Sequence, residues 1–147
     1  MALRGALALA AGCAALALGA CGDDDGGAEP TKSSAGPGTI SLKVTADDGK
    51  GAKSEGTLDC SPSAQRASAS LTKKMSAAEL CDSARALRTL LTAKPPRDRF
   101  CTRIYGGPET ARVTGTLDGI AVDRRLKRTD GCEIADYAKA ARLLPAA

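Results

Sequence analysis

Histidine and tryptophan are absent from this chain of 147 residues, and its aromatic residues number three: Phe100, Tyr105 and Tyr137. Without histidine there is no Ser-His-Asp or Cys-His pair to activate a nucleophile. No glycine-rich phosphate loop follows a strand pattern. Asp118 and Asp130 occupy turn positions, where aspartate commonly bonds its own backbone. Enzyme chemistry is therefore not expected, and no cofactor is implied. Three aromatics leave little to stack on nucleic-acid bases, so the basic balance does not predict a nucleic-acid partner. CxxC spacing is missing as well, which together with the lack of histidine disfavours a zinc site built from four thiolates.

The apolar run that does exist, 5–20, is almost entirely Ala, Leu and Gly and follows Arg4. It is short for a membrane span and reads as a signal peptide over 1–20. It ends Leu18-Gly19-Ala20-Cys21, which resembles the lipobox of bacterial lipoproteins, so Cys21 is the expected lipidation site. The expected location is the outer face of the cell membrane, reached by a lipid anchor; ordinary secretory cleavage to a free protein is the alternative. Residues 21–38 are the lipidated cysteine and a tether rich in Gly, Asp, Ser and Pro. Such a coil spans roughly 20–25 Å on average. Asp23, Asp24 and Asp25 in this stretch read as a solvated spacer rather than a calcium site.

Export permits disulfides. Of the six cysteines, Cys13 leaves with the signal and Cys21 carries lipid. Cys60, Cys81, Cys101 and Cys132 remain and allow three pairings. The sequential pairing, Cys60 with Cys81 and Cys101 with Cys132, is favoured. Setting aside Arg4, Lys32, Asp23, Asp24, Asp25 and Glu29 from the 21 bases and 17 acids leaves 19 and 13 in 38–147, a charge of +6. A basic face near anionic lipid or cell wall accounts for that charge.

The remainder, 39–147, patterns as one α+β domain. Thr39–Thr45 alternates, with Ile40, Leu42 and Val44 on one side. Glu55–Cys60 reads as its hairpin partner, and Ser61–Ser70 as a loop. Ser76-Ala77-Ala78-Glu79 matches a capping box. Ala77, Leu80, Cys81, Ala84, Leu87 and Leu91 follow at helical spacing until Pro95-Pro96. Glu109–Leu117 alternates again, Asp118-Gly119 signals a hairpin, and 120–128 returns with Ile120, Val122 and Leu126 inward. Arg124 interrupts that inner row. Cys132-Glu133-Ile134 is read as a short strand and 136–144 as a terminal helix. The sum is an α+β domain of four or five antiparallel strands with a helix and two disulfides.

The segment Cys101-Thr102-Arg103-Ile104-Tyr105 then stands out. If Cys101 is bridged, it is an exposed loop clamped at one end, and an arginine held there suits the acidic pocket of a trypsin-like protease. The Thr-Leu-x-Cys strand ending at Cys60, the Cys81 helix, Cys101-Thr-x-x-Tyr105, the Gly-Thr-Leu-Asp-Gly hairpin and Arg128-x-x-x-Cys132-Glu133 together resemble the Streptomyces subtilisin inhibitor family over about 38–137. That resemblance implies inhibition of a serine protease, trypsin-like or subtilisin-like, by a substrate-like loop. It places the reactive bond at Arg103–Ile104, with Cys101, Thr102 and Tyr105 flanking it. The family's loop-supporting position two residues before the last cysteine is Asp130. The resemblance also implies an antiparallel five-stranded sheet with one or two helices packed on one face, and a homodimer. The alternative function is a surface lipoprotein that keeps the inhibitor fold as a binding module without inhibition.

Overall fold

The structure is a computed structural model that describes residues 38–145 except Lys74. The expected signal peptide, the expected lipidation site Cys21 and the expected tether up to Pro37 lie outside the described residues. Alternating residues build β1 (Ile40–Asp47) and β2 (Lys53–Cys60), paired from Ile40↔Cys60 to Asp47↔Lys53. Asp47 and Asp48 shape the turn between them: their carboxylates accept from the amides of Gly49 and Lys50 at 2.8 and 2.7 Å. A second hairpin joins β4 (Thr110–Leu117) to β5 (Ile120–Leu126). Its turn residues Asp118 and Gly119 both have positive φ, 51° and 78°, which matches the twist of the flanking strands.

The expected loop after Cys60 contains β3 (Gln65–Ala67), which pairs with the outer edge of β2. This strand satisfies backbone groups along that edge and carries no alternation that would announce it. The sheet runs β3-β2-β1-β4-β5 and is antiparallel throughout.

One continuous helix was expected from Ala77 to the proline pair. It is divided into α1 (Ala77–Ala86) and α2 (Arg88–Thr92), with Leu87 between them at φ −91°, ψ 10°. Ser76 and Glu79 form the expected capping box. The apolar stripe survives the break: Leu80, Cys81, Ala84 and Leu91 are buried with Ile40, Leu42, Val44, Leu58, Val113, Leu117, Val122 and Leu126. Helix α1 packs on β2 and β3, and α2 on β4 and β5. Burial of each Leu, Ile or Val contributes about 1.5–3 kcal/mol. The disulfide Cys60–Cys81 pins α1 to the end of β2. Ile120, expected inward, is partly exposed. It is the first residue of an edge strand, paired with Leu117 at the tip of the hairpin.

The C-terminal region corrects the sequence reading. Cys132-Glu133-Ile134 is not a strand but lies within α3 (Gly131–Ala140). Asp130 caps this helix: its Oδ1 accepts from the Glu133 amide at 2.9 Å. The Glu133 carboxylate in turn accepts from the amide and hydroxyl of Thr129. This local cap outweighs the weak strand propensity of three residues. A 3-10 turn, Ala141–Leu143, is the last regular element among the described residues and buries Leu143.

Candidate functional site

Between α2 and β4 the chain crosses to the end of the sheet where β4 begins and β5 ends. Residues 99–107 have no helix, strand or turn, yet they are held at several points. Cys101 and Cys132 form the second disulfide, with Cα atoms 5.3 Å apart. The amide of Gly131 donates to the Thr102 carbonyl at 2.9 Å, and the amide of Gly106 donates to the Arg128 carbonyl at 2.8 Å. The three residues Arg103, Ile104 and Tyr105 therefore form an arc between two backbone hydrogen bonds, with the disulfide beside its first anchor. All three are exposed; Ile104 and Tyr105 keep 58% and 66% of their surface in solvent.

The first turn of α3 is the platform for this arc. It supplies the Gly131 amide, the Cys132 sulfur and the Ile134 side chain. A Cβ built on Gly131 would stand 2.1 Å from Thr102 Oγ1, and one on Gly106 would stand 2.8 Å from Ile134 Cδ1. Both glycines are present because the loop backbone approaches the helix closely. The pair Gly106-Gly107 thus packs the far side of the arc instead of merely lengthening it.

Further anchors lie behind the loop. Arg99 donates to Asp136 from two nitrogens, at 2.8 and 3.5 Å, and Arg124 donates to the same carboxylate at 3.0 Å. Asp136 is 6% exposed, and the side chain of Arg124 13%. The hydrogen bond to Asp136 raises the pKa of Arg99 further above the ordinary arginine value. On the other side, Arg128 pairs with Glu109 at 2.9 Å and lies 5.8 Å over the Tyr137 ring. Burial pushes the Tyr137 phenol above its usual range; the Glu109 carboxylate adds to this and Arg128 opposes it.

Arg103, Ile104, Cys101, Thr102 and Tyr105 are thus contiguous and pinned. Asp130 sits at the site, but its carboxylate caps α3, and the contact with the loop is made by the next residue's amide. Sequence reasoning did not select Gly131, Gly106, Arg99 or Asp136. The signal for the last pair was present: Arg124 interrupts an apolar row, which calls for a buried acid. Phe100 was also passed over, although it is fully exposed at 104% and directly precedes Cys101. An aromatic left bare on an anchored backbone is the kind of group that drives association.

Among the described residues the grouping with metal-ligand proximity is Cys101, Asp130 and Cys132. Its two sulfurs are bonded to each other, which leaves one carboxylate and no site. Also among the described residues, no helix is long and apolar enough to cross a membrane. No protein-family model matches the sequence, and no curated protein matches it.

Proposed function

We propose that this domain inhibits a serine protease by presenting Arg103–Ile104 as a substrate-like reactive bond. The observation that carries the reading is the clamped arc: exposed contact side chains on a backbone fixed on both sides of one peptide bond. A segment that is already ordered loses little conformational entropy on binding, so more of the contact energy appears as affinity. The Arg103 guanidinium supplies a fork of donors for a carboxylate at the base of a specificity pocket. Phe100 and Tyr105 add apolar area on either side. The resemblance to the Streptomyces subtilisin inhibitor family is part of the same proposal.

The clamps also account for inhibition instead of digestion. The protease nucleophile adds to the Arg103 carbonyl, and the amine of Ile104 is the leaving group. In an ordinary substrate that amine diffuses away and water replaces it. Here Gly106 remains bonded to Arg128, and Thr102 to Gly131, so both new ends stay in register. The amine then re-attacks the acyl-enzyme faster than water does. The target is a protease that accepts arginine before the cleaved bond, of trypsin-like or subtilisin-like type.

Thr39, next to the domain's entry point, accepts from the Asp118 amide at the opposite end of the sheet. The loop lies beyond the Thr110 end of β4, about 24 Å away along the strand. The reactive loop and the chain's entry into the domain are therefore at opposite ends of the sheet.

Brief incubation with trypsin at mildly acid pH, followed by N-terminal sequencing, tests the bond. One new terminus beginning at Ile104, reconverted to intact chain at neutral pH, is the expected result. Cleavage elsewhere, or irreversible fragmentation, contradicts it. In that outcome the fully exposed Phe100 favours the second reading, a non-inhibitory binding module.

A further inference from the structure

We propose that a basic cleft beside the loop docks an acidic surface segment of the target protease and speeds its association. This inference rests on the protease-binding reading and specifies the partner's surface. The cleft encloses about 280 Å³ and reaches the Cys101–Cys132 disulfide, so it lies on the Cys101 side of the reactive bond. Five bases line it: Arg97, Arg99, Arg124, Arg125 and Lys127. Three acids do too, and each is already committed. Asp136 is shared by Arg99 and Arg124, Asp130 caps α3, and Glu133 holds Thr129 and pairs with Lys127 at 3.5 Å.

Two of the described cations make no ion pair, although Arg125 lies near enough to Asp123 to help Arg112 hold that carboxyl below its ordinary value. Among the described residues, Arg97 and Arg125 have no acidic group within ion-pair distance. Pro95 and Pro96 form part of the wall, so the cleft has a stiff rim. Its volume admits one or two side chains rather than a helix. The complementary ligand is an Asp- or Glu-bearing loop that can place carboxylates at Arg97 and Arg125 while Arg103 fills the specificity pocket.

Attraction between a basic patch and an acidic one acts chiefly on the encounter rate and is screened by salt. The test is stopped-flow association of the full protein with two trypsins of opposite net charge, at low and high ionic strength. Its variant is Arg97→Glu with Arg125→Glu, exposed positions that make no contact with the loop backbone. The expected result is that the wild-type protein captures the anionic trypsin about tenfold faster than the cationic one at low salt. The double variant loses that advantage, molar salt erases it for both proteins, and dissociation rates stay within about twofold. Intact inhibition with equal association rates for variant and wild type overturns the cleft inference and leaves the inhibitor reading standing. Failure of the wild-type protein to inhibit any protease overturns both. Unchanged protease kinetics, combined with binding to anionic lipid vesicles that the double variant loses, overturns it in favour of a lipid contact.

Discussion

The Gly131 amide reaches the Thr102 carbonyl at 2.9 Å while its α-carbon lies against the Thr102 side chain, so one glycine both bonds and admits the loop. Alanine is the better helix former at this first position of α3. Gly131→Ala nevertheless forces Thr102 Oγ1 out of its place and shifts the residue directly before Arg103. Inhibition is expected to weaken by about tenfold or more, on the order of 1.4 kcal/mol. The melting temperature should change little. Adding Thr102→Ala removes the clashing oxygen and should restore most of the lost affinity. A single variant with wild-type inhibition would show that the contact is not a constraint.

Among the described residues, exposed Arg103 makes no hydrogen bond or ion pair, so its replacement should cost binding without costing stability. Arg103→Gly is expected to reduce inhibition of a trypsin by at least about a hundredfold, the scale of losing a charge-assisted anchor. Arg103→Lys should retain part of the inhibition, since it keeps the charge but not the fork. Thermal melts of both variants should overlay the wild type. Inhibition constants for the three proteins, measured side by side, check this.

Opening the second disulfide separates its two roles. Closing 31 residues contributes about 3–4 kcal/mol in the chain-entropy account. Cys101→Ser with Cys132→Ser should lower the melting temperature accordingly and convert the protein from inhibitor to substrate. Accumulation of chain cleaved after Arg103 during incubation with protease is the readout. Persistent inhibition without turnover would mean that the two backbone hydrogen bonds suffice.

Much of the architecture was legible because alternation and capping are local. Ile40, Leu42 and Val44, the Ser76–Glu79 box and Asp118-Gly119 each announce an element without reference to the rest of the chain. What the sequence concealed depends on partners. β3 exists because β2 has an open edge. The break at Leu87 keeps Leu91 on the buried stripe, so spacing alone did not reveal it. Cys132-Glu133-Ile134 was misread because its helix depends on a cap from Asp130, which had been assigned a role at the loop. At the site, the exposed residues were visible in sequence. Their supports, Gly131, Gly106 and the Arg99–Asp136–Arg124 cluster, are contacts between residues up to 37 positions apart.

With no histidine, stability should be flat from about pH 5.5 to 8.5. Below that it should fall. Hydrogen bonds from the Ser76 amide and hydroxyl hold the Glu79 carboxyl below its ordinary value of 4.5. The side-chain hydrogen bonds from Arg112 hold Asp123 below 3.8. A carboxyl depressed in the folded state binds fewer protons there than when unfolded. Its contribution is therefore complete above the unfolded value and is lost as pH falls through the folded one. Melting temperatures between pH 5 and 2 should decline, and Glu79→Gln with Asp123→Asn should flatten the curve. An unaltered slope in that variant would assign acid sensitivity to other groups.

The central claim is that the clamped arc is an inhibitory loop, and the most direct measurement is titration of trypsin and of a subtilisin with the purified protein. The account predicts a stoichiometric end point for at least one of the two, with a dissociation constant in the nanomolar range, and its loss in Arg103→Gly. Micromolar or weaker inhibition of both enzymes, or inhibition indifferent to Arg103, would contradict it.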